Sequence, residues 1–262
     1  MAYKQPATKA QALLTELAGF PKGKYLSEFQ LRRFLNQADS IINVDAASAW
    51  HLKAVAYYYA NEIEHMSYCF KTSLNLEYNS TVLNNYMACS INHGCLPEVF
   101  NLFKSNSDFF VQDKELILKI TKLILNLYDK DMFNEFYKIL ENNEEIINDN
   151  NFIKEIQDCF SDVEKIILDP IQMSWKDANL ISKTSLDFVR SNKVRTDSIV
   201  RVKLTDDNEI VNDLNVYGTV ERIHKLNNDL FDYIYDHNLL SLWNKIYYVF
   251  SVANEVEEMS KA

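Results

Sequence analysis

Two residues of a predicted helix have the spacing of metal ligands. His65 and Cys69 are four positions apart, so they can share one face of a helix, and imidazole and thiolate are groups that bind zinc in proteins. His93 and Cys95 are the nearest candidates to complete such a site. No Cys-x-x-Cys or His-x-x-x-His motif accompanies them in the chain. We therefore expect no metal and no cofactor.

Nucleophilic catalysis would need a Cys or Ser beside a His that takes its proton, and a tight turn whose amides hold the oxyanion. The chain has only 4 glycines, and none stands in a Gly-x-Ser-x-Gly or phosphate-binding arrangement. His224 and His237 lie in and beyond the last predicted helix and are interpreted as surface or core histidines. The sequence predicts that the protein is not an enzyme.

Four carboxylates surround a predicted hairpin and offer the oxygen ligands that divalent cations prefer. They are Asp206, Asp207, Glu209 and Asp213. A calcium loop also needs a glycine at its sharp bend and a bidentate glutamate at its twelfth position, and this segment has neither. We interpret the cluster as a solvated turn.

The charge balance argues against nucleic acid as a partner. The net charge is −10 and the pI is near 5.0, whereas binding to a phosphate backbone draws on Lys and Arg. The nearest approach to a basic patch is interpreted as a solvated helix end and strand face. It comprises Arg190, Lys193, Arg195, Arg201 and Lys203.

The chain is expected to act in the cytoplasm. Its N-terminus lacks the apolar stretch of a signal peptide, and no window reaches the roughly 18 apolar residues of a membrane span. The four cysteines, Cys69, Cys89, Cys95 and Cys159, fall within apolar helical patterns, which predicts buried thiols in the reduced state. Abundant Asn, Lys, Ile and Tyr indicate an AT-rich bacterial or phage genome.

The elements that would position these side chains are mostly helices. With 4 Gly and 4 Pro, the chain has little of the turn chemistry of an all-β fold. Residues 47–80 predict two helices that meet near Asn61, each with an apolar stripe at helical spacing. The stripes comprise Trp50, Ala54 and Tyr57 in the first helix, and Ile63, Met66, Phe70 and Leu74 in the second. Such a hairpin needs neighbours to bury both faces.

This 34-residue unit resembles a tetratricopeptide repeat. Trp50, Ala54, Tyr57 and Phe70 fall at the fourth, eighth, eleventh and twenty-fourth positions of the family pattern, while Lys53, Met66, Ser73 and Tyr78 depart from it. A second, degenerate unit begins near Thr81, with Asn84, Ala88 and Ile91 at the first-helix positions, a turn at His93-Gly94, and Val99 and Phe103 at packing positions. The resemblance covers about residues 47–114.

In the family, first helices of successive repeats line a concave groove, and ligand contacts come from repeat positions two, five, nine and twelve. The resemblance therefore implies partner-binding residues in both units, namely Ser48, His51, Val55 and Tyr58, followed by Val82, Asn85, Cys89 and Asn92. The subclass that clamps a terminal carboxylate has Lys, Arg and Asn at such positions. His51 and Val55 do not match it, so we expect an internal segment or a folded protein as partner.

Further helices are predicted on both sides of these units, at 9–17, 26–42, 114–128, 132–142 and 151–168. We expect a mainly α fold: a tetratricopeptide-like superhelical array over residues 1–169, then a small α+β module over residues 176–262. In the module, a capping box at Ser174 and Asp177 opens a helix that reaches about residue 190. Strands at 198–204 and 210–217, a helix at 220–234 and a strand at 245–252 follow.

These features predict a non-enzymatic adaptor or inhibitor that binds another protein through the concave groove. The small module could form a homodimer or bind a second partner through an exposed sheet edge. One alternative is a transcriptional regulator in which residues 1–40 contact DNA and the repeats sense a ligand. A metal-dependent hydrolase is a third reading.

Overall fold

The computed structural model describes residues 6–95, 100–101, 103–104, 113–197, 201–205 and 209–253. Val99, residues 198–200, Asp206 and Asp207, which carry predictions above, lie outside this range. Contacts divide the chain into two compact units, Met1–Ser105 and Asn106–Ala262. The fold class is as predicted: mainly α, with a small α+β part towards the C-terminus.

The described part of the first unit has helices α1 (Pro6–Ala18), α2 (Glu28–Asp39), α3 (Ala46–Tyr59), α4 (Ile63–Leu76) and α5 (Ser80–Ile91). Capping side chains explain where several helices begin. Ser27 and Gln30 form a reciprocal capping box at α2, and Asp45 accepts a hydrogen bond from the Ser48 amide at the start of α3. The predicted turn at Asn61 is confirmed by its left-handed backbone, with φ 62°.

The α3–α4 hairpin is tied together by apolar packing and one polar contact. Ala54, Met66 and Phe70 are fully buried, and Ser73 Oγ donates to the Ala47 carbonyl at 2.8 Å. Helix α5 joins them through Tyr86, whose ring stacks on Phe70 with centroids 5.0 Å apart. These contacts give the hairpin and α5 one continuous core.

Helix α3 does not bury the single stripe that its sequence predicts. Trp50 and Tyr57 are only half-buried, whereas Ala49, Leu52 and Ala56 are completely inaccessible. The reason is that α1 and α2 pack against α3 as well as α4 does. A helix covered on several sides has no single buried face, so Trp50 and Tyr57 are left at the margin of the core.

The described part of the second unit begins with helices joined by short connections. They are α6 (Lys114–Asn126), α7 (Lys130–Glu141), α8 (Glu144–Ile147), α9 (Asn150–Asp162), a π-helical turn (Val163–Leu168) and α10 (Trp175–Ser191). Aspartates cap three of them, since Asp113, Asp129 and Asp149 each accept from an amide three residues on. The predicted cap at Ser174 is also present.

A three-stranded sheet completes this unit, with β1 (Arg201–Leu204), β2 (Ile210–Val216) and β3 (Ile246–Val252) in the order β1-β2-β3. Strands β1 and β2 form an antiparallel pair, whereas β2 and β3 run parallel. A parallel pair needs a crossover connection, which α11 (Val220–Asp236) and α12 (Leu240–Trp243) provide. The predicted order of helix, strand, strand, helix and strand is confirmed, with α12 added.

The outer edge of β3 is covered from residue 246 to residue 250, whereas Val252 at its end is 40% exposed. Its residues 246, 248 and 250 direct their backbone groups away from β2, because the flanking hydrogen bonds to β2 run from Ile210 N to Lys245 O and from Ala253 N to Val216 O. Ile246, Tyr248 and Phe250 are nevertheless at most 2% exposed. Asn227 of α11 accepts from Phe250 N at 2.7 Å and donates to Phe250 O at 2.9 Å.

Contacts run across the predicted domain boundary between residues 169 and 176. Asn179 donates to the Leu127 carbonyl at 2.8 Å, Lys183 pairs with Asp129 at 2.8 Å, and Trp175 stacks on Phe160. Helix α10 thus packs on helices that precede the boundary as well as on the sheet. On the sheet side, Ser182 Oγ accepts a hydrogen bond from the Tyr248 hydroxyl at 2.8 Å. The boundary itself stays a prediction.

Candidate functional site

A groove of about 370 Å³ lies between α1, α3 and α5 in the first unit. We call it the α1–α3–α5 groove. It is lined by Gln11, Leu14, Thr15 and Ala18 of α1, His51, Val55, Tyr58 and Tyr59 of α3, and Thr81, Asn85, Ala88, Cys89 and Asn92 of α5 and its C-cap. Six of the eight residues that the resemblance implies as partner-binding, all except Ser48 and Val82, are therefore brought together here.

A smaller cavity of about 180 Å³ continues the groove towards the start of α3. It contains the two remaining predicted residues, Ser48 and Val82, and it shares Gln11, Leu14, His51 and Thr81 with the larger cavity. Glu77, at the C-terminus of α4, also lines it. We refer to this region as the Glu77 end of the groove.

Two hydrogen bonds connect α3 to α5 across the groove, and both join residues 34 positions apart. Asn85 Nδ2 lies 3.0 Å from His51 Nε2, and Asn92 Nδ2 donates to the Tyr58 hydroxyl at 2.9 Å. This spacing equals the 34-residue period of the repeat that the sequence resembles. The polar side chains of the groove are thus held by one another.

His51 is neutral in this environment. It is 6% exposed, and burial lowers its pKa to about 4, since desolvation penalises the charged imidazolium. An amide N–H of Asn85 points at Nε2, so this nitrogen accepts and the ring proton is on Nδ1. The ring also packs 5.9 Å from that of Phe70, measured between centroids.

The larger cavity has no charged lining. Among the described residues that line it there is no Asp, Glu, Lys or Arg, although the chain as a whole carries a net charge of −10. Its surface is made of amides, hydroxyls, a thiol and apolar groups. Glu77 is the one carboxylate among the described residues that line either cavity.

The candidate metal ligands of the sequence analysis lie in different environments and do not form one site. Cys69 is 2% exposed and burial raises the pKa of its thiol to about 11, whereas His65 is exposed and stacks on Tyr57 with centroids 5.0 Å apart. His93 and Cys95 are buried, with Cys95 Sγ 3.5 Å from the His93 carbonyl. Within the described ranges, no three His, Cys, Asp or Glu residues gather as a metal site would require.

The residues of the predicted carboxylate cluster and of the basic cluster also have different surroundings. Glu209 accepts a hydrogen bond from the Tyr247 hydroxyl at 3.1 Å, and Asp213 sits in β2 opposite Arg201. Of the basic residues, Arg190 and Lys193 are exposed but Arg195 is buried, so the interpretation of Arg195 as solvated is wrong. His237 is exposed, with Nδ1 2.7 Å from the Tyr233 carbonyl one turn earlier.

Sequence reasoning missed the contribution of α1 to the groove. Leu14 and Thr15 line it, and one signal could have found the first of them: Leu14 precedes Ser48 by the same 34 residues that separate His51 from Asn85. Glu77 was missed because it follows the last turn of α4, outside the first-helix positions that the family pattern highlights.

None of the helices in the described ranges is long and apolar enough to cross a membrane. Comparisons of the chain with protein-family models, with curated proteins and with solved structures find no match.

Proposed function

We propose that this chain is a non-enzymatic adaptor or inhibitor that holds a segment of another protein in the α1–α3–α5 groove. One observation carries the proposal: His51, Val55, Tyr58, Asn85, Cys89 and Asn92, selected from sequence positions alone, line a single cavity. Its volume of about 370 Å³ falls in the range of sites that bind ligands. Its mixture of an aromatic ring, amides and small apolar groups suits a peptide surface.

We further propose that the first unit is a tetratricopeptide-like array of helical hairpins. Helices α3 and α4 form one hairpin, α1 and α2 are joined by an ion pair between Glu16 and Arg33, and α5 is taken as the start of a third pair. The first helices of these pairs, α1, α3 and α5, all line the groove. Two cross-groove hydrogen bonds with the 34-residue period support the same assignment.

The packing of α1 favours an adaptor over a DNA-binding regulator. A regulator of the kind considered above would use residues 1–40 as a separate domain. Leu13 and Leu17 of α1 instead share a core with Leu52 of α3, and Leu14 lines the groove itself. We propose a cytoplasmic protein, because its four cysteines are reduced thiols and three of them are buried.

The test is partner capture that depends on the groove. The full chain is immobilised, incubated with an extract of its own organism, and the bound proteins are identified by mass spectrometry. The experiment is repeated with Tyr58→Ala and Asn92→Ala, and with Tyr68→Ala as the matched control, because Tyr68 is 62% exposed on α4 and does not line the groove. Circular dichroism verifies that every variant is folded.

We expect a partner that is retained by the wild type and by Tyr68→Ala but lost with both groove variants. A partner captured equally by all four proteins would overturn binding in the groove. Alkylation gives a second readout, because Cys89 lines the groove: a bound partner should slow its modification and leave Cys159 unaffected.

A further inference from the structure

We propose that the groove binds a short, extended and uncharged stretch of its partner, with a basic group seated at the Glu77 end. This inference rests on the proposed function and specifies the chemistry of the bound segment. Three features of the first unit support it: the charge of the lining, the placement of Glu77, and the length of the groove.

The lining of the larger cavity selects against charge. None of its described residues carries a charge at neutral pH, because His51 is buried and its pKa lies well below the usual range. An ionised side chain placed there would lose its hydration without gaining an ion pair, which is costly. Amides and hydroxyls can instead satisfy the peptide groups of an uncharged stretch, and Leu14, Val55 and Ala88 offer apolar contact.

The Glu77 end has the opposite character. Glu77 is the C-cap of α4, where its carboxylate adds to the negative end of the helix dipole. It is exposed, and within the described residues it takes part in no ion pair. Two negative sources at one end of an otherwise neutral groove favour a lysine, an arginine or an amino group there, and this fixes the direction of the bound chain.

The dimensions suit four or five residues. Ser48 and Tyr58 line opposite ends of the combined cavities and are ten residues apart along α3. At a rise of 1.5 Å per residue, this corresponds to a length of about 15 Å. An extended chain advances about 3.3 Å per residue, so about four or five residues span the groove.

Defined peptide pools test this inference. The peptides are fluorescently labelled pentapeptides with acetylated and amidated ends. Each has four mixed uncharged residues and one Lys, Gln or Glu, which is placed at the first position in one set and at the last position in another. A further set places Lys or Glu at the centre. Fluorescence anisotropy measures binding to the full wild-type chain, to Glu77→Gln, and to Glu64→Gln, which removes an exposed carboxylate from the other end of α4.

We expect pools with Lys at one terminus to bind about fivefold more tightly than Gln pools, as an exposed ion pair allows, and Glu pools to bind most weakly. The preference should disappear in Glu77→Gln, persist in Glu64→Gln, and weaken as salt is raised. Pools with a central charge should bind at least about tenfold more weakly than pools with an uncharged centre.

Equal affinity of the terminal pools, a preference for Glu, or a Lys preference that survives Glu77→Gln would overturn the basic end. Tight binding of a centrally charged pool would overturn the uncharged stretch. If no pool binds, the short extended segment is wrong. Partner capture that depends on Tyr58 and Asn92 would still support the proposed function in that case, so the two failures can be told apart.

Discussion

Asn92 donates a hydrogen bond to the hydroxyl of Tyr58, 34 residues earlier in the chain, and so connects the end of α5 to α3. The pair formed by His51 and Asn85 repeats this relationship seven residues earlier, two turns away on the same helix faces. Side chains that a partner would contact are thus also the ones that join α3 to α5. We therefore expect the proposed binding in the groove to be coupled to the packing of these helices.

We predict that Tyr58→Phe lowers the free energy of unfolding by about 1 kcal/mol, because the hydrogen bond from the Asn92 amide to the Tyr58 hydroxyl is lost in a partly buried site. Chemical denaturation measures the change. The double variant Tyr58→Phe with Asn92→Ala should cost less than the two single changes added together, with a coupling of about 0.5–1.5 kcal/mol. Tyr68→Phe, in an exposed ring of α4, serves as the control and should be neutral.

The first unit should lose stability in mild acid because of His51. Its pKa is about 4 in the folded protein and about 6.5 in an unfolded chain, so the unfolded state binds the proton first as the pH falls. The folded state therefore has its full stability above about pH 6.5 and loses it progressively down to pH 4. Between pH 7 and pH 5 we expect a loss of about 2 kcal/mol.

Urea titrations at several pH values check this expectation. His51→Gln should flatten the profile between pH 7 and pH 5, whereas His65→Gln should leave it unchanged, because the His65 side chain is 64% exposed. An unaltered pH dependence in His51→Gln would show that another group is responsible.

Asn227 should contribute to stability through the edge of β3. Replacing it with alanine removes one hydrogen bond to Phe250 N and one to Phe250 O, and leaves two buried backbone groups without these partners. We predict a loss of about 1–3 kcal/mol, and no recovery in Asn227→Asp, because one carboxylate oxygen would face the Phe250 carbonyl with no proton to donate. Asn228→Ala on the outer face of α11 is the control. A neutral Asn227→Ala would contradict the prediction.

Gln172 offers a stabilising change. Its φ of 51° places a side chain in the left-handed region, which costs an L-residue about 1–2 kcal/mol and glycine almost nothing. Because glycine also makes the unfolded chain more flexible, we expect Gln172→Gly to raise the free energy of unfolding by about 0.5–1 kcal/mol. Thermal unfolding measures this, with Gln172→Ala expected to give no gain.

The helices could be predicted because their signals are local. The apolar spacing in α4 and the cap at Ser174 depend only on neighbours in sequence, and the structure has both. The crossover to β3 could be predicted only as an order of elements. Its parallel pairing with β2 depends on contacts between residues more than thirty positions apart, such as Ile210 and Ile246.

The candidate site could be predicted in part for the same reason. The 34-residue period relates α3 to α5, so the spacing of His51 and Asn85 is enough to place both residues in one groove. The burial of His51 and the placement of Glu77 have no such local signal, since both depend on how α1 and α4 pack around α3. Trp50 shows the limit of a periodic pattern, because its half-buried state results from the same crowding.

The covered edge of β3 determines how this protein could self-associate through its sheet. Unpaired strand edges can pair with a strand of another chain. Ile246, Tyr248 and Phe250 are too deeply buried to do so. Within the described three-stranded sheet, β1 is the remaining edge. Two copies that join through β1 would use this edge on both chains, which closes the assembly as a two-fold pair and stops it from propagating into a fibre.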